Sequence, residues 1–370
     1  MSIEPLSPIH IGSGLAIQPQ EYVFETKKQD GSHWLIGADL ASAVGDLDDR
    51  QRAEYTKIVK RGDLAGVRGW LQKHIHPERH ARFVVQIQDI AFNILSKSVD
   101  DPNRRCEIEL MTRDAASGHP YIPGSSIKGA VRTALIDALI GDPPSKEALA
   151  AANDARPSAK FEARVLGNTK NGTKPDLYRD PFRQLAFSDA TLEEGSTYID
   201  EIKIRRLRRS ETPVGEGNDP TGIQMFREVT WSALDGEAAT ARGELRLFSG
   251  LSARRYWDRK ERVERELLPR SWTIEELCQQ CTAFYRPRLE RELERFFRDD
   301  AATSKTLKGR AHTLEPNQAL VRLGRHKHWE CTVLRAPLCR EPKRGVGMTR
   351  SLAGGMLPLG WAILSFEATG

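Results

Sequence analysis

The stretch from Tyr121 to Gly141, YIPGSSIKGAVRTALIDALIG, restricts the possible folds more than any other part of the chain. A short apolar lead-in runs into a turn rich in Gly and Ser, and then into a helix. Pro123 and Gly124 end the strand before them. Ser125 or Ser126 can cap the helix, because a hydroxyl accepts from an unpaired N–H of the first turn. Ile127, Val131, Leu135 and Leu139 recur every four residues and predict one buried stripe. Gly141, followed by Asp142, Pro143 and Pro144, stops the helix. Ser125, Lys128 and Arg132 fall on a second face, near the end where the helix dipole is positive. Small residues, free N–H groups and two cations there suit a phosphate. An ordinary amphipathic helix with a solvated lysine and arginine accounts for the same spacing.

A nucleotide P-loop is a poor match. Gly124 and Gly129 have the spacing of its two glycines, but Ala130 and Val131 stand where the motif needs Lys and Ser or Thr. At 370 residues the chain has room for two domains, and 39% hydrophobic content supports a core. Net charge is +5, from 56 basic and 51 acidic residues, so nucleic acid is permitted rather than demanded. The N-terminus MSIEPLSPIHIG lacks the basic stretch and apolar core of a signal peptide, and no apolar run reaches membrane length. Five cysteines form no disulfide framework, which points to a reducing cytoplasm.

Elsewhere the pattern alternates between strand and helix. Ile9 and Ile11 predict a short strand ending in Gly12-Ser13-Gly14, where another backbone can approach closely. His10 should face away from the apolar side, as a solvated or stacking histidine. Tyr22–Phe24 and Trp34–Ile36 read as strands, and Leu47 to Lys73 as an inserted helical segment. His74, His76 and His80 follow; Pro77 interrupts them, so a surface loop is favoured over a metal site. A short Ala-rich helix is expected after Pro144, then a Lys/Gly/Asn loop from Gly167 to Pro175.

Leu185 to Ala190 reads as the strand that enters the second half. Lys203, Arg205, Arg206, Arg208 and Arg209 put five cations into seven residues, on a segment that alternates with Ile202 and Ile204. With Ile223 to Trp231 returning, this predicts a long hairpin with a basic arm; a solvated basic edge that blocks strand aggregation is the plainer account. Leu251 to Asp300 is predicted helical, broken at Pro287, with Cys278 and Cys281 in the core rather than on zinc. Thr303 to Gln318 reads as a polar connector. Arg322, Arg325, Lys327 and Trp329 mix cations with an aromatic ring, which suits phosphate contact and base stacking. Gly345, Gly347, Gly354 and Gly355 around Arg344 and Arg350 predict a loop before the last strand.

YIPGSSIKGAVRTAL resembles the glycine-rich signature of the RAMP superfamily, the RNA-binding proteins of CRISPR systems. PLSPIHIGSG (Pro5 to Gly14) is similar to the first strand and loop of those proteins, and PLGWAILSFE (Pro358 to Glu367) to their closing strand. Order, spacing and length look most like the subunit that ends the backbone of type III-A (Csm-type) effector complexes. The resemblance implies an α+β fold of two RRM-like (ferredoxin-like) domains with helical insertions and glycine-rich loops, residues 1–183 and 184–370. It implies a non-catalytic subunit that caps the 3′-end side of the complex, binds CRISPR RNA (crRNA) and contributes to its maturation and to antiviral defence. RNA contacts would come from Gly12, Ser13, Gly14, Gly124, Ser125, Ser126, Lys128, Gly129 and Arg132. The basic hairpin (Lys203, Arg205, Arg206, Arg208, Arg209) and Arg322, Arg325 and Lys327 would add to them. Partners would be the repeating backbone RAMP subunit, the small helical subunit and trimming nucleases; no metal, cofactor or membrane is expected. The alternative is an endoribonuclease with His10 as general base, as in some processing RAMPs. Relatives that slice target RNA carry an aspartate after the first strand; here Gln18-Pro19-Gln20-Glu21 occupies that region, with only Glu21 as a carboxylate.

Overall fold

A computed structural model describes residues 1–98, 106–141, 158–170, 174–207, 225–252, 254–258, 263–324, 326, 328–331 and 347–368. Two sheets organise them. The six-stranded sheet runs Gln318–Arg322, Trp361–Ser365, Ser2–Pro5, Ala241–Arg242, Ala190–Thr191, Tyr121–Ile122. Its centre joins the two ends of the chain: Ser2–Pro5 lies antiparallel to Trp361–Ser365, with Ser2 opposite Ser365 and Pro5 opposite Ala362. The larger sheet runs Gly12–Ile17, Ile108–Met111, Phe226–Thr230, Thr197–Arg206, Ala81–Ile87, His33–Ala38, Tyr22–Thr26. The α+β expectation holds. Each sheet takes strands from both sides of Arg183, so the division expected there does not separate one sheet from the other.

The signature helix is Gly124–Ile140. Ile127, Val131 and Leu135 are buried as their spacing predicts, and Leu139 packs at the margin of the core. This face meets the long helix Ile274–Phe296, where the Tyr285 hydroxyl donates to Ala130 O at 3.1 Å. Pro287 lies inside that helix and does not break it. Phe284, Tyr285, Leu289 and Leu293 are buried on both sides of the proline, and their packing outweighs the local loss of one N–H. Cys278 and Cys281 are core residues, and burial pushes the Cys278 thiol up to about 12.

Two further segments depart from expectation. Residues 301–312 form a helix, Ala301–His312, where a polar connector was predicted. Asp300 caps it by accepting from Thr303 N at 3.0 Å, and Thr303, Leu307 and Ala311 make a narrow buried stripe. Arg255–Asp258 and Val263–Glu266 pair as a two-stranded ribbon inside the stretch expected to be helical.

The helical insertion is real. Leu40–Gly45, Asp49–Lys60, Leu64–His74 and Pro77–His80 leave the sheet after Ala38 and return at Ala81, and those two residues are paired neighbours. The histidines are not a loop ornament. His74 stacks on Trp70 at 4.0 Å, and buried His80 donates to Asp46 Oδ2 at 3.0 Å while its Nδ1 accepts from His76 N at 3.1 Å. The predicted Ala-rich helix after Pro144 lies largely outside the described residues.

At the C-terminal end of the long helix, Glu292 is fully buried. It accepts from Arg322 on strand Gln318–Arg322, from Arg350 on strand Thr349–Ala353 at 2.8 Å, and from Trp361 Nε1 at 3.3 Å. Burial alone would raise its pKa, but the two guanidinium groups override burial and hold the carboxyl at about 2, against 4.5 for a free glutamate. Its folded pKa is depressed, so its stabilisation is complete above about pH 4.5 and is lost as pH falls toward 2. Glu292→Gln should lower the free energy of urea unfolding at neutral pH by about 3–5 kcal/mol, because two buried cations lose their counter-charge. It should also flatten the acid limb of the stability curve between these values; an unaltered acid limb would show that the ion pairs do not couple to folding.

Candidate nucleic-acid interface

Strand Gly12–Ile17 is the outer edge of the larger sheet. It pairs with Ile108–Met111 at Gly12↔Met111 and Ala16↔Glu109, so four steps along the edge match two on its neighbour. The extra backbone, Ser13 to Leu15, bulges outward; Gly12, Ser13, Gly14 and Leu15 are all exposed. Gly14 has φ +87, which a residue with a side chain rarely adopts. Gly12 is required for a different reason. A Cβ there would sit 2.8 Å from His10 Nε2. Ile11 O accepts from Thr112 N at 2.8 Å, and Thr112 O accepts from Tyr121 N at 2.9 Å. The exposed edge is therefore tied through backbone bonds to the lead-in of the signature helix.

His10 is not solvated. Its side chain has no exposure, and its Nδ1–H donates to Glu228 O at 2.7 Å. Nε2 lies 3.7 Å from Glu109, which also pairs with Arg227 at 2.8 Å. Facing away from the apolar side here means facing a second, polar interior layer. Strand Phe226–Thr230 lies alongside, with Thr230 N donating to Ile9 O at 3.0 Å. Gly324 covers His10 from above, so close that a Cβ would lie 2.3 Å from His10 O. Glu21 is engaged too. Its carboxylate accepts from Gln18 N at 2.7 Å and closes the capping box of the short turn Pro19–Glu21.

At the signature helix, neither serine is the cap. Pro123 occupies the cap position, Ser125 and Ser126 lie in the first turn, and Gly124 N donates to Asp189 Oδ1 at 2.8 Å. Gly124 has no alternative, since a Cβ would fall 2.3 Å from Phe187 O. Ser125 is exposed and Ser126 and Gly129 are half-buried; the space beside Gly129 is open. Lys128 Nζ donates to Leu185 O at 2.7 Å, and burial lowers its pKa. Arg132 pairs with Glu162 and Asp180, both at 3.1 Å, and lies 4.6 Å over the Phe182 ring. The two cations face the chain's own turn at 177–185. Asp189 in LAFSDA is the residue in the sequence that marks the docking of this segment on the helix N-terminus.

The basic strand is also more enclosed than a free arm. Its inner half, Thr197 to Glu201, pairs with Phe226–Thr230. Its outer half then changes partner: Ile202 lies opposite Ala353 and Arg206 opposite Thr349, where a glycine-rich loop was expected. Lys203 is half-exposed, 3.4 Å from Glu201. Arg205 donates to Phe296 O at 2.9 Å and Gly355 O at 3.2 Å. Arg206 is exposed. Arg208, Arg209, Arg325 and Lys327 lie outside the described residues. Arg322, expected at a phosphate, is only 2% exposed and serves Glu292.

Among the described residues, no group of three or more His, Cys, Asp or Glu is placed to hold a metal ion. Arg132→Ala should lower the free energy of unfolding by about 1 kcal/mol or less, as for a partly exposed pair network. The salt dependence of RNA association should stay unchanged; a slope flattened by about 0.7 would return Arg132 to the phosphate-contacting set.

Comparison with known proteins supports the reading of the signature. The RAMP superfamily profile matches residues 2–239. A protein named CRISPR system Cms protein Csm5, from Methanocaldococcus jannaschii, is 29% identical over 237 residues, covering 62% of this chain and 50% of that protein. Csm5 of Streptococcus thermophilus is 31% identical over 143 residues, 37% of each chain. The matches span between 37% and 62% of the length of the curated relatives, less than two thirds in each case. Among solved structures, a chain of a Csm–crRNA–target RNA ternary complex of a type III-A CRISPR-Cas system superposes with a TM-score of 0.64 at 17% identity. That superposition covers 98% of this chain and 99% of the other. The crystal structure of T. onnurineus Csm5 gives a TM-score of 0.62 at 18% identity, covering 98% and 100%. With residues 2–239, well over half of its length, matched to one profile, the chain belongs to the RAMP superfamily.

Proposed function

We propose that the protein is an RNA-binding subunit of a type III-A CRISPR ribonucleoprotein, in the cytoplasm, where it caps the 3′-end side of the crRNA backbone. The observation that carries this reading is the exposed bulge Gly12–Leu15, fastened to the signature turn and open along its length. Glycine backbone without side chains lets a sugar-phosphate chain come close, and recognition through backbone shape suits a subunit that must accept many guide sequences. The similarity to Csm5 proteins points to the same assembly. Partners would be the repeating backbone RAMP subunit, the small helical subunit and nucleases that trim the crRNA during maturation. One docking face would meet the last backbone subunit in a head-to-tail contact that ends the filament.

The endoribonuclease reading has less support. A general base must reach the 2′-hydroxyl it deprotonates. His10 has no exposed side-chain surface, and Gly12 and Gly324 close over it.

The test is to purify the tagged protein gently from its own host and sequence the RNA that accompanies it. Short RNAs with one shared repeat-derived end and variable remainders are expected. Recovery of unrelated cellular RNA, or of none, would overturn the assignment.

A further inference from the structure

A carboxylate stands beside the open edge of the larger sheet. Glu109 lies on strand Ile108–Met111, opposite Ala16 on the edge strand and opposite Arg227 on the inner one. Residues directly opposite one another in a sheet point to the same face, so Ala16, Glu109 and Arg227 form one row. Further along the edge, Gly12 lies opposite Met111. Toward solvent, Glu109 is therefore bordered by a methyl group and a glycine, and it keeps 29% of its side chain exposed. Behind it the polar layer is closed: His10, Arg227 and Glu228 are buried. The carboxylate is held in place from that side. Arg227 Nη2 donates to Glu109 Oε1 at 2.8 Å, and His10 Nε2 lies 3.7 Å from Oε2. Glu228 fixes the surroundings in turn. Its carboxylate accepts from Met111 N at 2.9 Å, and its backbone carbonyl accepts from His10 Nδ1 at 2.7 Å.

We propose that Glu109 selects RNA over DNA at this edge by accepting a hydrogen bond from a ribose 2′-hydroxyl. The proposal rests on the reading of Gly12–Leu15 as an RNA contact, and it names what that contact recognises. The phosphates and ring oxygens of a nucleic-acid backbone only accept hydrogen bonds. The 2′-hydroxyl is the donor that RNA adds and DNA lacks. An ionised carboxylate only accepts, so it can bond this hydroxyl and can make no bond to a phosphate. Its charge also repels a phosphate set against it, so the sugar rather than the phosphate comes to rest beside Glu109. Arg227 supplies the counter-charge from the interior, which limits the repulsion felt by the strand as a whole. A carboxylate has about four lone-pair sites, so the bond from Arg227 leaves capacity for a second donor. Gly12 and Ala16 keep the approach low enough for a ribose to reach it. Selection through the sugar is independent of base sequence, as a subunit that accepts many guides requires.

The test uses the full chain and short fluorescein-labelled single strands of one mixed sequence, made as RNA, DNA and 2′-O-methyl RNA, read by anisotropy. The 2′-O-methyl strand keeps every phosphate and loses every hydroxyl donor. The unaltered protein should bind RNA about tenfold or more tighter than either other strand, as for one hydrogen bond to a charged group. Glu109→Gln keeps the size of the side chain and an oxygen for Arg227, but its neutral amide is a weaker acceptor. It should reduce the preference for RNA to about threefold or less, at an unchanged salt slope because no phosphate contact is lost. A second readout needs no variant. A single 2′-O-methyl group walked along the RNA should cost most at one nucleotide, and 5-iodouridine at that nucleotide should crosslink the unaltered protein within 12–17 or 107–112. If the parent binds RNA and 2′-O-methyl RNA equally, if Glu109→Gln leaves the preference intact, or if the crosslink maps elsewhere, Glu109 is not the selector and the RNA-binding reading stands. If the parent binds no RNA, the broader reading falls and the role of Glu109 with it.

Discussion

Glu292 joins three elements that also pack into one apolar core. It comes from the long helix Ile274–Phe296, Arg322 from the six-stranded sheet, and Arg350 from the strand that covers the outer half of Thr197–Arg206. Arg350 also reaches Glu330 at 2.8 Å, and Trp361 of the terminal strand pair donates to Glu292. Each charge is nearly inaccessible to water, so each can exist there only if the others are in place. Apolar residues of the same volume could stabilise the same junction equally well, but they would tolerate sliding. A bidentate arginine does not. The arrangement sets the register between helix and sheets, and through that helix the position of the signature helix packed on its other side.

This junction also explains why Arg322 could not be told from a phosphate-contacting cation by sequence. By composition, Arg322 and Arg350 are indistinguishable from arginines that contact phosphate. Their role is decided by Glu292, which lies 30 residues from one and 58 from the other in sequence. Spacing rules see i+3 and i+4 neighbours, so a carboxylate brought in by tertiary packing is invisible to them. Arg132 with Glu162 and Asp180 repeats the lesson at shorter range. His10 shows the same limit for burial: period-two alternation says which residues face apart, not whether the opposite side is solvent or another polar layer. In contrast, the α+β class, the signature helix with its buried stripe, the inserted helices and the core cysteines were legible, because each depends on local periodicity. The Ala301–His312 helix was missed because only three small or medium residues mark its buried face.

The glycines divide into two physical kinds. Gly124, Gly324 and Gly12 are places where another group stands within 3 Å of the missing Cβ. They are packing devices, and two of them close the layer over His10. Gly14 and Gly129 have nothing within 4 Å. A glycine with open space beside it does not serve packing inside this chain. Gly14 serves backbone conformation, at φ +87, whereas Gly129 sits in an ordinary helix where an alanine would be more stable by about 1 kcal/mol.

That contrast bears on what the signature sequence is for. A helix N-terminus attracts anions, but this one already holds the carboxylate of Asp189 on Gly124 N. A phosphate arriving at the same place would meet a fixed negative charge. The close-packed Gly124 and the lysine on Leu185 O both hold the segment 185–189 against the helix. What remains turned outward is Ser125, the open side of Gly129, and the edge Gly12–Leu15 connected through Thr112 and Tyr121. The chemistry left at that surface is backbone amide and hydroxyl rather than dense positive charge. Such a surface suits a strand held by hydrogen bonds to sugar and phosphate rather than by charge.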